Sequence, residues 1–272
     1  MGRAPRRTGE VRPVTAADVV CRAVLNRTEV TSLQDWVADI QSWPAGSHVW
    51  GQYAEQTAGG TAICRTENVS ACHAGVRALV DGRLWALASE RLGEPASAFK
   101  DKINYKQPGG AGFSPHQDAR AYPGVGRVLS LLVAIDECTT ESGCLWIAPD
   151  VDQVLATGDR GVVTAEVVEG LSWSPLELAA GDAVCLTGVA PHYSEANRSD
   201  RPRRVLVASY SPSSERYGRS RYYAARRLAM ERASATDGRF RISTLADFEG
   251  LEVAPATGAK DACTHSRVGS PK

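Results

Sequence analysis

What most constrains the fold of this chain is the texture of its second half. After Pro95, "AFKDKINYK", "RVLSLLVAIDE", "GVVTAEVVE", "GDAVCLTG" and "RRVLVASYS" follow one another as short runs, most of them rich in apolar and β-branched residues and bounded by Gly, Pro, Ser or Asp. Strands of this length at this spacing predict a β-sandwich or barrel. "QPGGAGF" after the first run reads as a turn. Ahead of the strands, "TSLQDWVADIQSW" places Leu33, Trp36, Val37, Ile40 and Trp43 on one helical face, with Ser32 and Asp35 in capping-box positions. "HAGVRALVDGRLWALASERLG" is a second helical region. It is apolar at Val76, Leu79, Val80, Leu84, Leu87 and Leu92, and Gly93 stops it. A further helix is expected near "RYYAARRLAMER". The predicted order is helices, then an all-β core, then a C-terminal helix, with the helices on one face of the sheet.

Composition narrows the class. The 272 residues are 43% apolar and 23% charged, which suits one globular catalytic domain over 1–272. Residues 1–13 read as a loose arm and 255–272 as a frayed tail. Basic and acidic side chains balance at 31 each, so there is no bulk attraction to nucleic acid or to an anionic membrane. The seven Cys form no C-x-x-C pair, which argues against a zinc ribbon and a secreted disulfide scaffold. Reduced thiols in a cytoplasm are the expectation. The basic N-terminus is followed by no apolar signal segment, and no run of about 18 apolar residues marks a membrane span.

The chemistry lies in few residues. Of five His, His116 stands two before Asp118 in "GFSPHQDARAY", and His192 follows the strand-like "GDAVCLTGVAP". Two His and one carboxylate on one face of a β-barrel are the facial triad of non-haem iron(II) oxygenases. Neutral imidazole and carboxylate hold a divalent ion and leave positions open for a bidentate cosubstrate and O2. Residues i and i+2 of an extended segment point the same way, so His116 and Asp118 can share an ion. Arg203, eleven residues after His192, offers a planar fork for the far carboxylate of 2-oxoglutarate, and Ser194 a hydroxyl for the same end. Alternation sends Arg204 to the other face, where it is expected to be solvated. Lys102 and Lys106 flank Asn104 on its own face as candidate anion partners. Gln117 points opposite to its neighbours, as a support or a substrate contact. Trp146 and Trp173 are expected to pack, and His48 and His73 to be ordinary surface or core residues. His265 falls in the tail.

"INYKQPGGAGFSPHQD", "SGCLWIAPD" and "GDAVCLTGVAPHYSEANRSDRPRRVLV" resemble the phytanoyl-CoA dioxygenase-like family of iron(II)/2-oxoglutarate oxygenases over about Phe99 to Pro212. The resemblance implies a mainly β double-stranded β-helix, a jelly roll or cupin-like barrel, with flanking α-helices. It implies that His116, Asp118 and His192 bind iron and that Arg203, Ser194 and Asn104 bind 2-oxoglutarate. An intact carboxylate at Asp118 favours oxygenation over halogenation. The stretch "FKDKINYKQPGGAGFSPHQD" looks like a bacterial branch that holds aminophosphonate hydroxylases and natural-product oxygenases. The Ala- and Arg-rich, Lys-poor texture fits a high-GC genome and leans toward a small polar metabolite, of the aminoglycoside type, oxidised by hydroxylation or by oxidative ring closure. An aminophosphonate hydroxylase and a non-redox cupin-type metal enzyme are the alternatives. Substrate-reading residues are expected in "WGQYAEQTAGGTAICRTENV" and around Tyr217 to Tyr223.

Overall fold

The computed structural model describes residues 19–44, 49–158, 161–237, 242–243, 248 and 250–253. His48, His265, the 1–13 arm and the 255–272 tail lie outside them.

The first helix, α1 (Arg27–Gln41), starts earlier than the apolar periodicity suggests. Asn26 caps it: its Oδ1 accepts from the Glu29 backbone N–H at 3.1 Å, and Glu29 Oε2 accepts from the Asn26 N–H at 2.8 Å. This reciprocal capping box outcompetes the Ser32/Asp35 pair, which ends up inside the helix. Leu33, Val37 and Ile40 are fully buried, while Trp36 and Trp43 pack at the edge of the same cluster. The second helical region is interrupted. It runs as α2 (Ala74–Ala78), a π turn over Leu79–Arg83, and α3 (Leu84–Leu92), with Gly93 ending it at φ +73°. His73 is the N-cap of α2, accepting from the Val76 N–H at 3.2 Å.

The strands form two antiparallel sheets. In chain order they are β1 (Val20–Cys21), β2 (Gly51–Thr57), β3 (Gly60–Glu67), β4 (Ala96–Lys106), β5 (Phe113–His116), β6 (Leu129–Ala134), β7 (Leu145–Ile147), β8 (Ser174–Leu176), β9 (Ala183–Thr187), β10 (His192–Ser194), β11 (Arg203–Pro212) and β12 (Leu251–Val253). The larger sheet has the order β1-β9-β6-β11-β4-β3-β2-β12 and the smaller β5-β10-β7-β8. Two facing sheets with these crossovers are the expected jelly-roll architecture.

Both faces of the larger sheet are covered, which explains the near-continuous apolar runs of β6, β9 and β11. Outward, Ile103, Tyr105, Leu131, Val133, Leu206, Ala208 and Tyr210 pack on the helices α1, α2 and α3. Inward, Ala134, Val184, Leu186, Val205 and Val207 meet Cys144, Ile147, Leu176 and Leu178 of the smaller sheet and its loops.

Three expectations fail. The β2–β3 hairpin lies between the helices, so the chain is not helical first and β afterwards. "GVVTAEVVE" is no strand. Val162 and Val163 make isolated bridges, then Thr164 opens a one-turn helix, α4 (Ala165–Glu169). A short valine-rich run fits either element by periodicity. Finally, α5 (Arg219–Asp237) does not join the other helices. Its Tyr222, Ala225, Arg226 and Ala229 line the space between the sheets. No helix among the described residues is long and apolar enough to cross a membrane.

The cap geometry gives a first test. Asn26→Ala should lower stability by about 1 kcal/mol, and the unfolding midpoint by roughly 2–4 °C for a chain of this size. Ser32→Ala should leave the midpoint unchanged or raise it. Thermal unfolding followed by circular dichroism separates the two, and equal losses would return the cap to Ser32.

Candidate active site

His116 ends β5 and His192 opens β10, and the two are register partners across these strands. Their rings lie 4.3 Å apart, centroid to centroid. Asp118 follows at the start of a short 3-10 turn, Asp118–Ala121. One ligand atom from each of the three lies within 4.8 Å of the others, and they are the described residues grouped as a potential ion site. Each imidazole is oriented from behind. His116 Nδ1 lies 2.8 Å from the Ser114 carbonyl, and His192 Nδ1 lies 3.0 Å from that of Ala190. Such bonds fix Nδ1–H and leave Nε2 as the lone-pair donor. Ser130 Oγ donates to Asp118 Oδ2 at 3.2 Å.

The electrostatics suit a ligand set. Burial, and then the neighbouring His192, push His116 down to about 3, so it stays neutral. Burial opposes the Asp118 charge, but Lys100, the two His and Lys102 outweigh it and hold the carboxyl below its usual range. Neutral imidazoles and an ionised carboxylate are what a divalent ion requires.

A cavity of about 350 Å³ surrounds this face. At one end stands Arg203, paired in register with Lys106. Its Nη2 donates to the Gly143 carbonyl at 2.7 Å. Its Nε is buried with no hydrogen-bond partner, and among the described residues no carboxylate lies at ion-pair distance. A buried guanidinium with an orphaned N–H fits an acidic ligand held there. Ser194 is beside it, accepting from Lys106 Nζ at 2.9 Å, and Lys106 also donates to the Glu195 carbonyl. Asn104, next along β4, accepts from Arg65 Nε at 3.2 Å and faces the cavity.

Several assignments change. Lys106, a candidate anion partner, lines the cavity and is tied to Ser194 at the Arg203 end. Gln117 is fully buried and lines no part of the cavity. It donates to the Gln153 and Val189 carbonyls and accepts from the Leu155 N–H, so it braces the backbone between the two metal-facing side chains. Arg204 is not solvated. It pairs bidentately with Asp136 at 2.7 Å for each bond. Lys102 does face the cavity, as expected. Trp146 and Trp173 pack on Tyr193.

The segment "WGQYAEQTAGGTAICRTENV" does line the cavity, through Glu55, Cys64, Arg65 and Glu67, whereas sequence reasoning overlooked Lys100 and Arg226 on the same wall and Tyr122 beside Lys100. The alternation that links Lys102 to Asn104 also reaches Lys100, and following it one step further would have found it. Both Lys are depressed by burial, Lys100 to about 8; Lys102 is pushed down further by Arg65 and Lys100 beside it.

Gly143 is the quiet member of the site. It sits at φ +71°, and a Cβ there would collide with the Glu195 carbonyl. Its own carbonyl holds Arg203. Gly143→Ala should therefore misplace the guanidinium and weaken 2-oxoglutarate binding about tenfold, measured by isothermal titration. An unchanged dissociation constant would show that this turn does not set Arg203.

Comparison with known proteins agrees with this geometry. Residues 18–205 match the family model described as phytanoyl-CoA dioxygenase (PhyH). The chain is 37% identical over 230 residues to a methylphosphonate hydroxylase of Gimesia maris, covering 83% of this chain and 88% of that protein. It is 35% identical over 213 residues to a 2-aminoethylphosphonate dioxygenase of an uncultured bacterium, covering 76% and 81%. Among solved structures, EctD of S. alaskensis, solved with 2-oxoglutarate and 5-hydroxyectoine, superposes with a TM-score of 0.60 at 20% identity, over 78% of this chain and 82% of that one. The epimerase SnoN of nogalamycin biosynthesis gives 0.59 at 23%, over 71% and 77%. The chain belongs to the phytanoyl-CoA dioxygenase family and is an oxygenase of the iron(II)- and 2-oxoglutarate-dependent type.

Proposed function

We propose that this oxygenase hydroxylates a C–H bond of a small organophosphonate. The observation that carries the reading is the charge of the cavity wall. Seven cationic side chains (Arg65, Lys100, Lys102, Lys106, Arg203, Arg221 and Arg226) stand against three carboxylates, Glu55, Glu67 and Asp118. One dicarboxylate cosubstrate at Arg203 leaves a positive surplus elsewhere, which favours an anionic substrate. The two relatives named for phosphonates support the same class.

The aminoglycoside-type reading fares worse on this ground. Such molecules are polycations, and the wall would repel them. The cavity, about 350 Å³, is also small for a ligand of that size. A substrate of few carbons offers no second position for ring closure, so hydroxylation is the preferred outcome. A non-redox enzyme on the same barrel would have no use for an acid-binding guanidinium beside the triad.

In this reading His116, Asp118 and His192 hold iron(II) through Nε2, a carboxylate oxygen and Nε2. Arg203 receives the far carboxylate of 2-oxoglutarate as a two-point fork, with the Ser194 hydroxyl beside it. Asn104 faces the keto-acid end. Iron with 2-oxoglutarate supplies the O2-dependent oxidation of a C–H bond, with succinate and CO2 as coproducts. The protein positions and shields. Leu132, Leu176, Val184, Val205 and Val207 form an apolar wall that excludes water and strengthens each charge interaction inside. Ser130 holds Asp118 for this, and Gln117 holds the loop that carries it.

The test is iron-dependent succinate release with methylphosphonate or 2-aminoethylphosphonate, together with a product one oxygen heavier by mass spectrometry. Arg203→Gln should raise the 2-oxoglutarate requirement by about 10- to 100-fold, the worth of a charge-assisted fork. Turnover of a neutral or cationic metabolite in preference to both phosphonates would sink the reading.

A further inference from the structure

We infer that Lys100 and Lys102 form a second anion subsite beside the metal triad, separate from Arg203, which takes a tetrahedral dianion and sets which carbon is oxidised. The inference rests on the phosphonate reading for the name of its ligand, but not for its existence.

The first support is a local balance of charge. Around this part of β4 stand Arg65, Lys100, Lys102 and Arg226 on the cavity wall, and the buried carboxylate that Arg65 and Arg226 grip is Glu67; Asp101, also buried, lines no part of the cavity and is held by Ser70 and Arg219. Both Glu67 oxygens are already taken. Arg226 Nε reaches Oε2 at 2.5 Å, Arg226 Nη2 reaches Oε1 at 2.8 Å, and Arg65 Nη1 lies 3.4 Å from Oε1. The two guanidiniums also share the Ile242 carbonyl, at 2.8 and 3.1 Å. They are therefore fixed, and Glu67 offsets one of their two charges. The two Lys make no such pair. Lys100 Nζ donates to the Tyr122 hydroxyl and lies over the Tyr122 and Tyr222 rings. Lys102 has neither a hydrogen-bond nor an ion-pair partner among the described residues, and its side chain lines the cavity. Lys100 is buried and Lys102 half-buried, and neither makes a salt bridge to a carboxylate among the described residues, which marks a place for an anion.

The second support is shape. Lys100 and Lys102 are residues i and i+2 of β4, opposite Ser209 and Val207 of β11. Their side chains leave the same face about one pleat apart, roughly 7 Å. That spacing lets two flexible ammonium groups converge on one compact ligand with oxygens in several directions, as in a phosphonate or phosphate. A planar monocarboxylate would leave one of the charges uncompensated.

The third support is position. Lys100 is the register partner of Ser209, whose hydroxyl meets Ser130 Oγ at 3.0 Å, and Ser130 Oγ in turn donates to Asp118 at 3.2 Å; Lys102 lines the same cavity as the triad. An anionic head held there lies beside the triad. The carbon presented for oxidation is then the one attached to the anionic head, and longer substrates must extend away toward Tyr217 and Arg221.

The experiment is anaerobic isothermal titration of the iron- and 2-oxoglutarate-loaded enzyme with methylphosphonate, inorganic phosphate and acetate. Wild type should bind the two tetrahedral anions and prefer them to acetate. Lys102→Met and Lys100→Met, which keep the volume and remove the charge, should each weaken methylphosphonate about tenfold or more and leave 2-oxoglutarate within about twofold. Lys102→Arg should keep part of the affinity. The free Lys102→Met protein should melt no lower than wild type, because it loses an unpaired, half-buried charge; a structural lysine would lower the midpoint. Methylphosphonate binding to Lys102→Met as tightly as to wild type would overturn the subsite while leaving the proposed function standing. The reverse case is also distinguishable. Phosphate bound through Lys102, with no phosphonate turned over, keeps the subsite and removes the phosphonate reading. A wild-type enzyme that takes up no second anion overturns the subsite outright.

Discussion

The chemistry of this protein hangs on the pairing of β4 with β11, ten register partners from Arg203↔Lys106 to Pro212↔Ala96. Side chains alternate across a strand. In the observed register Lys100, Lys102, Asn104 and Lys106 face inward from β4, while Arg203, Val205 and Val207 face inward from β11. Ile103, Tyr105, Leu206 and Ala208 face the helices. A slip of one residue would exchange the two sets, putting four polar groups into a helix-packed core. The helical layer thus does more than cover the sheet, because its apolar demand fixes the register that aims the charges. Near the far end the register shifts between Ser209 and Tyr210, opposite Phe99. This bulge leaves Phe99 free to pack on Tyr122, Tyr217 and Tyr222, next to Lys100 on the cavity side.

The smaller sheet has a different task. Its strands are three or four residues long, with little burial of their own to hold them. Two of them carry the His pair, and their placement comes from side chains outside the strands. Gln117 ties the turn after β5 to the backbone of Gln153, Leu155 and Val189. The Gly143 turn, which a Cβ could not enter, seats the segment before β7 against the Glu195 and Ala196 carbonyls. The His-Asp-His face is thus made of short strands braced by loops, set against a long-stranded sheet that carries Lys100, Lys102, Lys106 and Arg203.

This division explains what was legible in the sequence. The middle of the large sheet was readable, because β6, β9 and β11, covered on both faces, are apolar along most of their length. The triad and Arg203 were readable because their residue types are rare and their spacing is tied to strand ends. The β2–β3 hairpin was not, since "GQYAEQT" and "GTAICRTE" are polar and partly exposed. Their inward residues, Glu55, Arg65 and Glu67, look like ordinary surface charges. Arg226 was beyond reach altogether, as it meets Glu67 across 159 residues of sequence. Arg204 was assigned correctly to the outer face and wrongly to water, because nothing local announces Asp136 as its partner.

The choice of Arg at some cationic positions and Lys at others then has a physical sense. Arg65 and Arg226 grip Glu67 and the Ile242 carbonyl in several directed bonds, and so join α5 to β3. A planar fork suits a fixed joint, and leaving either guanidinium without Glu67 would cost about 3–5 kcal/mol. Arg203 has the same fixed character, braced by one carbonyl and shaped for one carboxylate. Lysine is a point charge on a flexible stem. At Lys100 and Lys102 it can follow a head group as the rest of a ligand settles against the apolar wall. On the proposed reading, the rigid cations build the cavity and hold what every turnover shares, while the flexible ones are left for what differs.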